Sequence, residues 1–94
     1  MSLVSIIMPY YQKKEFIKGS IDSILNQSYE KFEIIIVNDE LSFDSKLVLN
    51  EILKKDKRIK VIENHENIGA GETRNNGIKF SKGEYIAFCD CDDL

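Results

Sequence analysis

The stretch FEIIIVND, residues 32–39, decides how this chain folds. Ile34, Ile35, Ile36 and Val37 follow one another with no polar residue between them. A strand with one face in water alternates apolar and polar side chains; a strand covered on both faces does not. The run therefore reads as an inner strand of a parallel sheet, with helices above and below. Upstream, EFIKGSIDSILNQSY (15–29) carries Phe16, Ile17, Ile21, Ile24 and Leu25 on one helical stripe. Before it, LVSIIMP (3–9) is a short apolar run that the only proline, Pro9, is expected to stop. Downstream, SKLVLNEILKKD (45–56) repeats the helical spacing through Val48, Leu49, Ile52 and Leu53, with Asp44 as the expected cap. RIKVIEN (58–64) alternates and reads as a strand nearer an edge. AGETRNNGIKFSKG (70–83) reads as a helix with Ala70, Thr73, Gly77 and Phe80 on one side and Gly83 as its stop. EYIAFCD (84–90) reads as a fourth, buried strand. The order is βαβαβαβ, which places the chain in the α/β class: a mainly parallel, Rossmann-like sheet with helices on both faces.

Composition narrows the function classes. The 94 residues suffice for one small domain, and 43% hydrophobic with 31% charged residues fits a globular one. A net charge of −3 gives no electrostatic case for nucleic acid, so no such partner is expected. The basic cluster KKDKRIK (54–60) closes a helix, where cations suit the macrodipole. No apolar run approaches the ~18 residues that span a bilayer. One histidine and two cysteines do not by themselves complete a four-ligand zinc site. Cys89 and Cys91 stand two apart on a strand, poorly placed for a mutual disulfide, and a reducing cytoplasm is the simpler compartment.

Open parallel sheets bind ligands beyond the carboxyl ends of their strands. Those ends are Pro9, Tyr10 and Tyr11; Asn38, Asp39 and Glu40; residues 64–71; and Asp90 to Asp93. Asp90 and Asp92, one residue apart, point to the same side of an extended chain. Two unpaired carboxylates on one side repel; a divalent cation relieves the repulsion, and Mg²⁺ or Mn²⁺ takes one or two carboxylates with phosphate oxygens and water. The local alternative is that one of them caps a following helix. Asp39 reads either as an acceptor for a ligand's base or ribose or as a cap or Asx turn, the latter being the usual fate of a lone Asp after a strand. Arg74 sits where a dinucleotide fingerprint would have its third glycine after Gly69 and Gly71. It reads as a cation aimed at a base carbonyl or phosphate, or as a surface arginine paired with Glu72. Tyr10 and Tyr11 offer a ring for stacking on a base, or ordinary packing. His65 reads as a solvated turn residue. Together an aromatic, an acid, an arginine and a carboxylate pair on one rim form the layout for a nucleoside diphosphate.

These residues resemble a known family. VSIIMPYYQKKEFIKGSIDSILNQSYEKFEIIIVND, NIGAGETRNNGI and GEYIAFCDCDD together look like the N-terminal half of a family 2 glycosyltransferase with the A-type glycosyltransferase fold. The resemblance implies that Pro9 and Tyr11 line the base pocket and that Asp39 contacts the nucleobase. It places Arg74, within the matching Gly69, Arg74, Asn75 and Gly77, over base or phosphate. It implies that Asp90 and Asp92 form a D-x-D motif for Mn²⁺ or Mg²⁺ and the donor diphosphate, Asp92 being the more direct ligand. It further implies metal-dependent, inverting transfer of a sugar from a nucleoside-diphosphate sugar, a UDP-sugar first, to an acceptor hydroxyl. Members are longer, so residues 1–94 are expected to be a donor-binding half, with the acceptor half and its general base beyond Leu94. On that expectation the chain binds nucleotide without turnover, exposes its last strand to self-association, and works in the cytoplasm at the inner face of a membrane. Two departures stand out. Gln12 replaces the usual Asn, and Glu40 with Leu41 replaces the usual Gly-Ser.

Two other classes share part of the pattern. A receiver-like signalling domain has the same alternation, but needs acids after its first strand and an acceptor Asp after its third; here the acids follow strands two and four. A non-catalytic nucleotide-binding module would bind without any effect of metal.

Overall fold

Strands and helices alternate as the spacing predicts in the computed structural model, which describes residues 2–40, 42–66 and 68–90. They are β1 (Val4–Tyr10), α1 (Ile17–Leu25), β2 (Phe32–Asn38), α2 (Phe43–Leu53), β3 (Ile59–Glu63), α3 (Gly69–Phe80) and β4 (Tyr85–Phe88). All pairings are parallel and the strand order is β3-β2-β1-β4. β2 is buried along its whole length because both faces are covered. On one face Ile34 and Ile36 meet Ile17, Ile21 and Ile24 of α1 and Leu49 and Ile52 of α2, with Met8 and Tyr10 of β1. On the other, Ile7, Ile35 and Val37 lie under α3. The helix comes so close there that a Cβ on Gly77 would stand 2.5 Å from Ile7 Cγ2 and 3.2 Å from Val37 Cγ2.

Several local expectations are corrected. Pro9 does not stop β1; it lies inside the strand, opposite Val37. Asp39 N–H donates to Tyr10 C=O on the β2 side, and Cys89 N–H donates to Ile7 C=O on the β4 side. By alternation Pro9 faces β4, the side away from β2. The missing N–H therefore costs no bond to β2. The cap of α2 is Ser42, whose hydroxyl accepts from Ser45 N–H at 3.1 Å, and Asp44 sits in the first turn. Gly83 is not the stop of α3, which ends at Phe80. A Cβ on Gly83 would lie 2.6 Å from Ser5 N and 2.8 Å from Leu3 O, so the backbone of β1 passes where a side chain would be. Phe80, expected on one side of α3 with Thr73 and Gly77, is 57% exposed while those two are buried; it is the last residue of the helix and shares with Ile62 the lining of an open groove. Phe16 is half-exposed because it is the N-cap residue of α1 rather than part of its buried stripe.

β3 is an edge strand, as its alternation suggests, and β4 is the other edge of the sheet among the described residues. β4 therefore does not behave as a buried strand. Tyr85, Ile86 and Phe88 are 63%, 41% and 52% exposed, because β4 pairs with β1 on one side and α3 sits over β1 and β2.

The end of the sheet opposite the expected site is tied by one buried carboxylate. Glu33 accepts from Ser5 Oγ at 2.6 Å, Lys60 Nζ at 2.7 Å and Lys82 N–H at 2.7 Å, and Ser5 Oγ in turn accepts from Gly83 N–H at 2.8 Å. Strands β1, β2 and β3 and the connection into β4 meet at this point.

Candidate functional site

The carboxyl ends of the strands lie on one rim because all strands run the same way. Tyr10 ends β1 fully buried in the core, so it is packing. Tyr11, the next residue, is 46% exposed on the rim and is the ring available to a ligand. It precedes Gln12, whose φ of 55° is the only positive value at a side-chain-bearing residue among the described residues. Gln12 N–H donates to Glu40 Oε1 at 2.8 Å, and Ser42 Oγ donates to Glu40 Oε2 at 2.6 Å. The turn after β1 is thereby fastened to the turn after β2.

Asp39 is almost fully buried, at 3% exposure. Its carboxylate accepts from Asn64 Nδ2 at 2.8 Å, Ile68 N–H at 2.9 Å and Gly69 N–H at 3.1 Å. The last two donors are the opening amides of α3, so Asp39 caps that helix from across the sheet. A carboxylate there suits the positive end of the helix. Ile68, with φ of −115° and ψ of 0°, aims both amides at one carboxylate, and Gly69, whose φ of 84° is open to glycine at low cost, turns the chain from there into α3. The capping reading of Asp39 is thus realised, on α3 and not on the helix that follows it in sequence.

Asn64 is a residue that the motif reading passed over. It is buried at the end of β3 and joins the rim to α3. Its amide donates to Asp39 and to Thr73 Oγ1 (3.2 Å), and its carbonyl accepts from Asn76 Nδ2 (2.8 Å). A signal existed. In a period-two reading Asn64 shares the phase of Ile62, on the covered face, where a polar side chain needs partners. One residue beyond Thr73, Arg74 leaves the helix toward β4, and its Nη2 lies 3.1 Å from Asp90 Oδ1. It is about one-third exposed and Asp90 one-half. Arg74 is therefore paired across the rim rather than with Glu72. Helix α3 touches three strand ends: β2 through Asp39, β3 through Asn64 and β4 through Asp90.

The structure thus brings Tyr11, Asp39, Arg74 and Asp90 to one rim, with Pro9 in the strand that leads to it. Asp92, the second half of the carboxylate pair, lies outside the described residues. No group of three or more metal-ligating side chains occurs among the described residues. Of the pair, Asp90 supplies hard carboxylate oxygen of the kind that suits Mg²⁺ or Mn²⁺. A cavity of about 680 Å³ lies elsewhere, lined by Leu25, Asp56 and Arg58 among others; it is an open groove beside charged turns with no convergent chemistry. No helix among the described residues is long and apolar enough to cross a membrane.

A parallel, Rossmann-like sheet flanked by helices is the architecture this chain shares with glycosyltransferases of the A-type fold. The chain belongs to glycosyl transferase family 2, whose model matches residues 5–94. It is 44% identical over 93 residues to UDP-Glc:alpha-D-GlcNAc-diphosphoundecaprenol beta-1,3-glucosyltransferase WfaP of Escherichia coli, covering 99% of this chain and 36% of that protein. Among solved structures it superposes on a mannosyltransferase from Pyrobaculum calidifontis in complex with GDP-Man and Mn²⁺ (TM-score 0.90, 22% identity, 99% of this chain and 28% of that one). It also superposes on S. aureus TarS in complex with UDP-GlcNAc (TM-score 0.83, 30% identity, 95% and 26%). The chain spans 38% and 13% of the lengths of two further curated relatives, from Haemophilus influenzae and Rickettsia bellii.

Proposed function

We propose that this chain forms the donor half of a glycosyltransferase that moves a sugar from a nucleoside-diphosphate sugar to an acceptor hydroxyl with inversion. The observation that supports this most is α3, seated on three strand ends so that Arg74 meets Asp90 at 3.1 Å on the rim. A permanent cation beside Asp90, with Asp92 two residues on in the sequence, matches a diphosphate with its metal. In this reading Tyr11 stacks on the base beside Pro9, and Asp39 borders the base while it holds the turn into α3. Arg74 donates to the phosphates. Asp90 and Asp92 would hold Mn²⁺ or Mg²⁺, which when bound neutralises charge growing on the leaving diphosphate. The acceptor oxygen forms a bond to the anomeric carbon as the bond to the diphosphate breaks, and a carboxylate base outside this chain takes the acceptor proton. UDP is the first nucleotide to test, since neighbours bind UDP-GlcNAc and GDP-Man. The lipid diphosphate in the name of the E. coli relative suits an acceptor presented at the inner membrane face.

Calorimetry with UDP and GDP, with and without Mn²⁺, tests the site. The expected outcome is Mn²⁺-dependent binding that weakens about tenfold in Arg74→Ala, the loss of one charge-assisted hydrogen bond. The Mn²⁺ dependence should vanish in Asp92→Asn. Equal heats in Asp92→Asn and the parent chain would remove the metal assignment.

The exposed β4 edge supports a second proposal, self-association of this chain through Tyr85, Ile86 and Phe88. Sedimentation should show a dimer growing in with concentration and lost in Ile86→Lys. A constant monomer mass would exclude it.

A further inference from the structure

Glu40 is joined to a turn that should not hold its shape unaided. The left-handed backbone of Gln12 is sparsely populated by residues with a Cβ, and Asn or Gly occupy it more readily than Gln. Gln12 N–H is held at 2.8 Å by Glu40 Oε1. Glu40 is itself well anchored. Its own N–H donates to Asn38 Oδ1 at 3.0 Å, its C=O accepts from Ser45 Oγ at 3.0 Å, and its second carboxylate oxygen accepts from Ser42 Oγ at 2.6 Å. The clamp therefore runs from the cap of α2, through Glu40, to the residue that follows Tyr11. Gln12 and Glu40 are also two places where this chain departs from the pattern of the family it resembles, and they are bonded to each other.

We infer that Glu40 is a positioning residue for nucleobase recognition: it fixes the Gln12 turn and with it the ring of Tyr11. This rests on the donor-site reading above, in which Tyr11 stacks on the base. Base stacking on an aromatic is worth enough that a loose ring shows in affinity. The diphosphate end, at Arg74 on α3 and Asp90 after β4, belongs to other elements, so a defect in this clamp should be felt by the base and not by the phosphates.

The experiment measures Mn²⁺-dependent affinity for UDP and for inorganic pyrophosphate in Glu40, Tyr11 and Gln12 variants, with urea melts as a folding check. Glu40→Ala is expected to weaken UDP about tenfold, on the scale of a stacking contact, and to leave pyrophosphate unchanged. Glu40→Gln keeps an acceptor oxygen and should stay near the parent value. Tyr11→Ala should weaken UDP as Glu40→Ala does, with little added by combining the two. Gln12→Gly takes the left-handed turn without strain and should restore much of the UDP affinity of Glu40→Ala. An unchanged UDP affinity in Glu40→Ala, an equal loss for pyrophosphate, or additive losses with Tyr11→Ala would each overturn the inference while leaving the donor site standing. No UDP binding by the parent chain would overturn both.

Discussion

Replacing Glu33 with alanine is expected to lower the unfolding free energy by about 2–3 kcal/mol, which for a domain of this size moves Tm by about 10–20 °C. The carboxylate is 5% exposed and accepts from Ser5, Lys60 and the Lys82 amide. Its loss leaves the Ser5 hydroxyl and the Lys82 amide to find new partners. Lys60, 43% exposed, turns to water, which keeps the cost below that of a fully buried ion pair. The pH dependence follows from the same contacts. Burial pushes the Glu33 carboxyl up and is the largest single influence. The hydrogen bonds from Lys60, Ser5 and Lys82, with the Lys60 charge, together outweigh it and hold the carboxyl below its ordinary 4.5. A depressed native pKa means that the stabilisation is fully present above pH 4.5 and drains away as pH falls through the lowered native value. Asp56, held at about 2 by its hydrogen bonds from Arg58, releases its share in a lower window below its ordinary 3.8. Urea midpoints from pH 7 down to acid, for the parent chain and Glu33→Gln, separate the two, because the variant retains the Asp56 slope and lacks the Glu33 one. Parallel curves would show that Glu33 carries no such linkage.

How much of this is legible in the sequence depends on whether the deciding partner is local. The four apolar residues from Ile34 to Val37 announce a strand covered twice, because solvent on either face would have demanded alternation. The strand ends then follow from topology, and Tyr11, Asp39 and Asp90 fall on one rim for that reason, while Arg74 is brought to it by α3. What stays hidden are contacts between residues far apart in sequence. Asp39 reads as a local cap from its neighbours, yet its donors are some thirty residues away, at Ile68 and Gly69. Pro9 reads as a stop, since which edge of the strand its missing N–H would face is set by β4. Gly83 reads as a helix stop, whereas its requirement is the β1 backbone. The covering of β4 is misjudged because an apolar strand reads the same at a sheet's centre and at its edge.

Helix α3 offers the sharpest contrast between what a residue does locally and what its surroundings demand. Intrinsic propensity favours alanine over glycine in a helix interior by about 1 kcal/mol wherever it stands. At Gly71 an added Cβ would meet nothing within 4 Å and φ is not left-handed, so Gly71→Ala should raise stability by up to that amount. At Gly77 the same change should instead lower stability by about 2 kcal/mol, the propensity gain being outweighed by overpacking of about 3 kcal/mol. The added carbon would meet Ile7 Cγ2 at 2.5 Å, and Ile7 is fully buried and β-branched, so it has little freedom to turn away. The less costly response is for α3 to lift from the sheet. Arg74, three residues earlier, would lift with it and lose its place at Asp90, so Mn²⁺-dependent UDP affinity should fall in Gly77→Ala alongside stability. Urea melts of the two variants decide the matter. Stabilisation at both positions would mean that the helix sits further from β1 than Gly77 implies, and the seat of Arg74 on the rim would lose its structural basis.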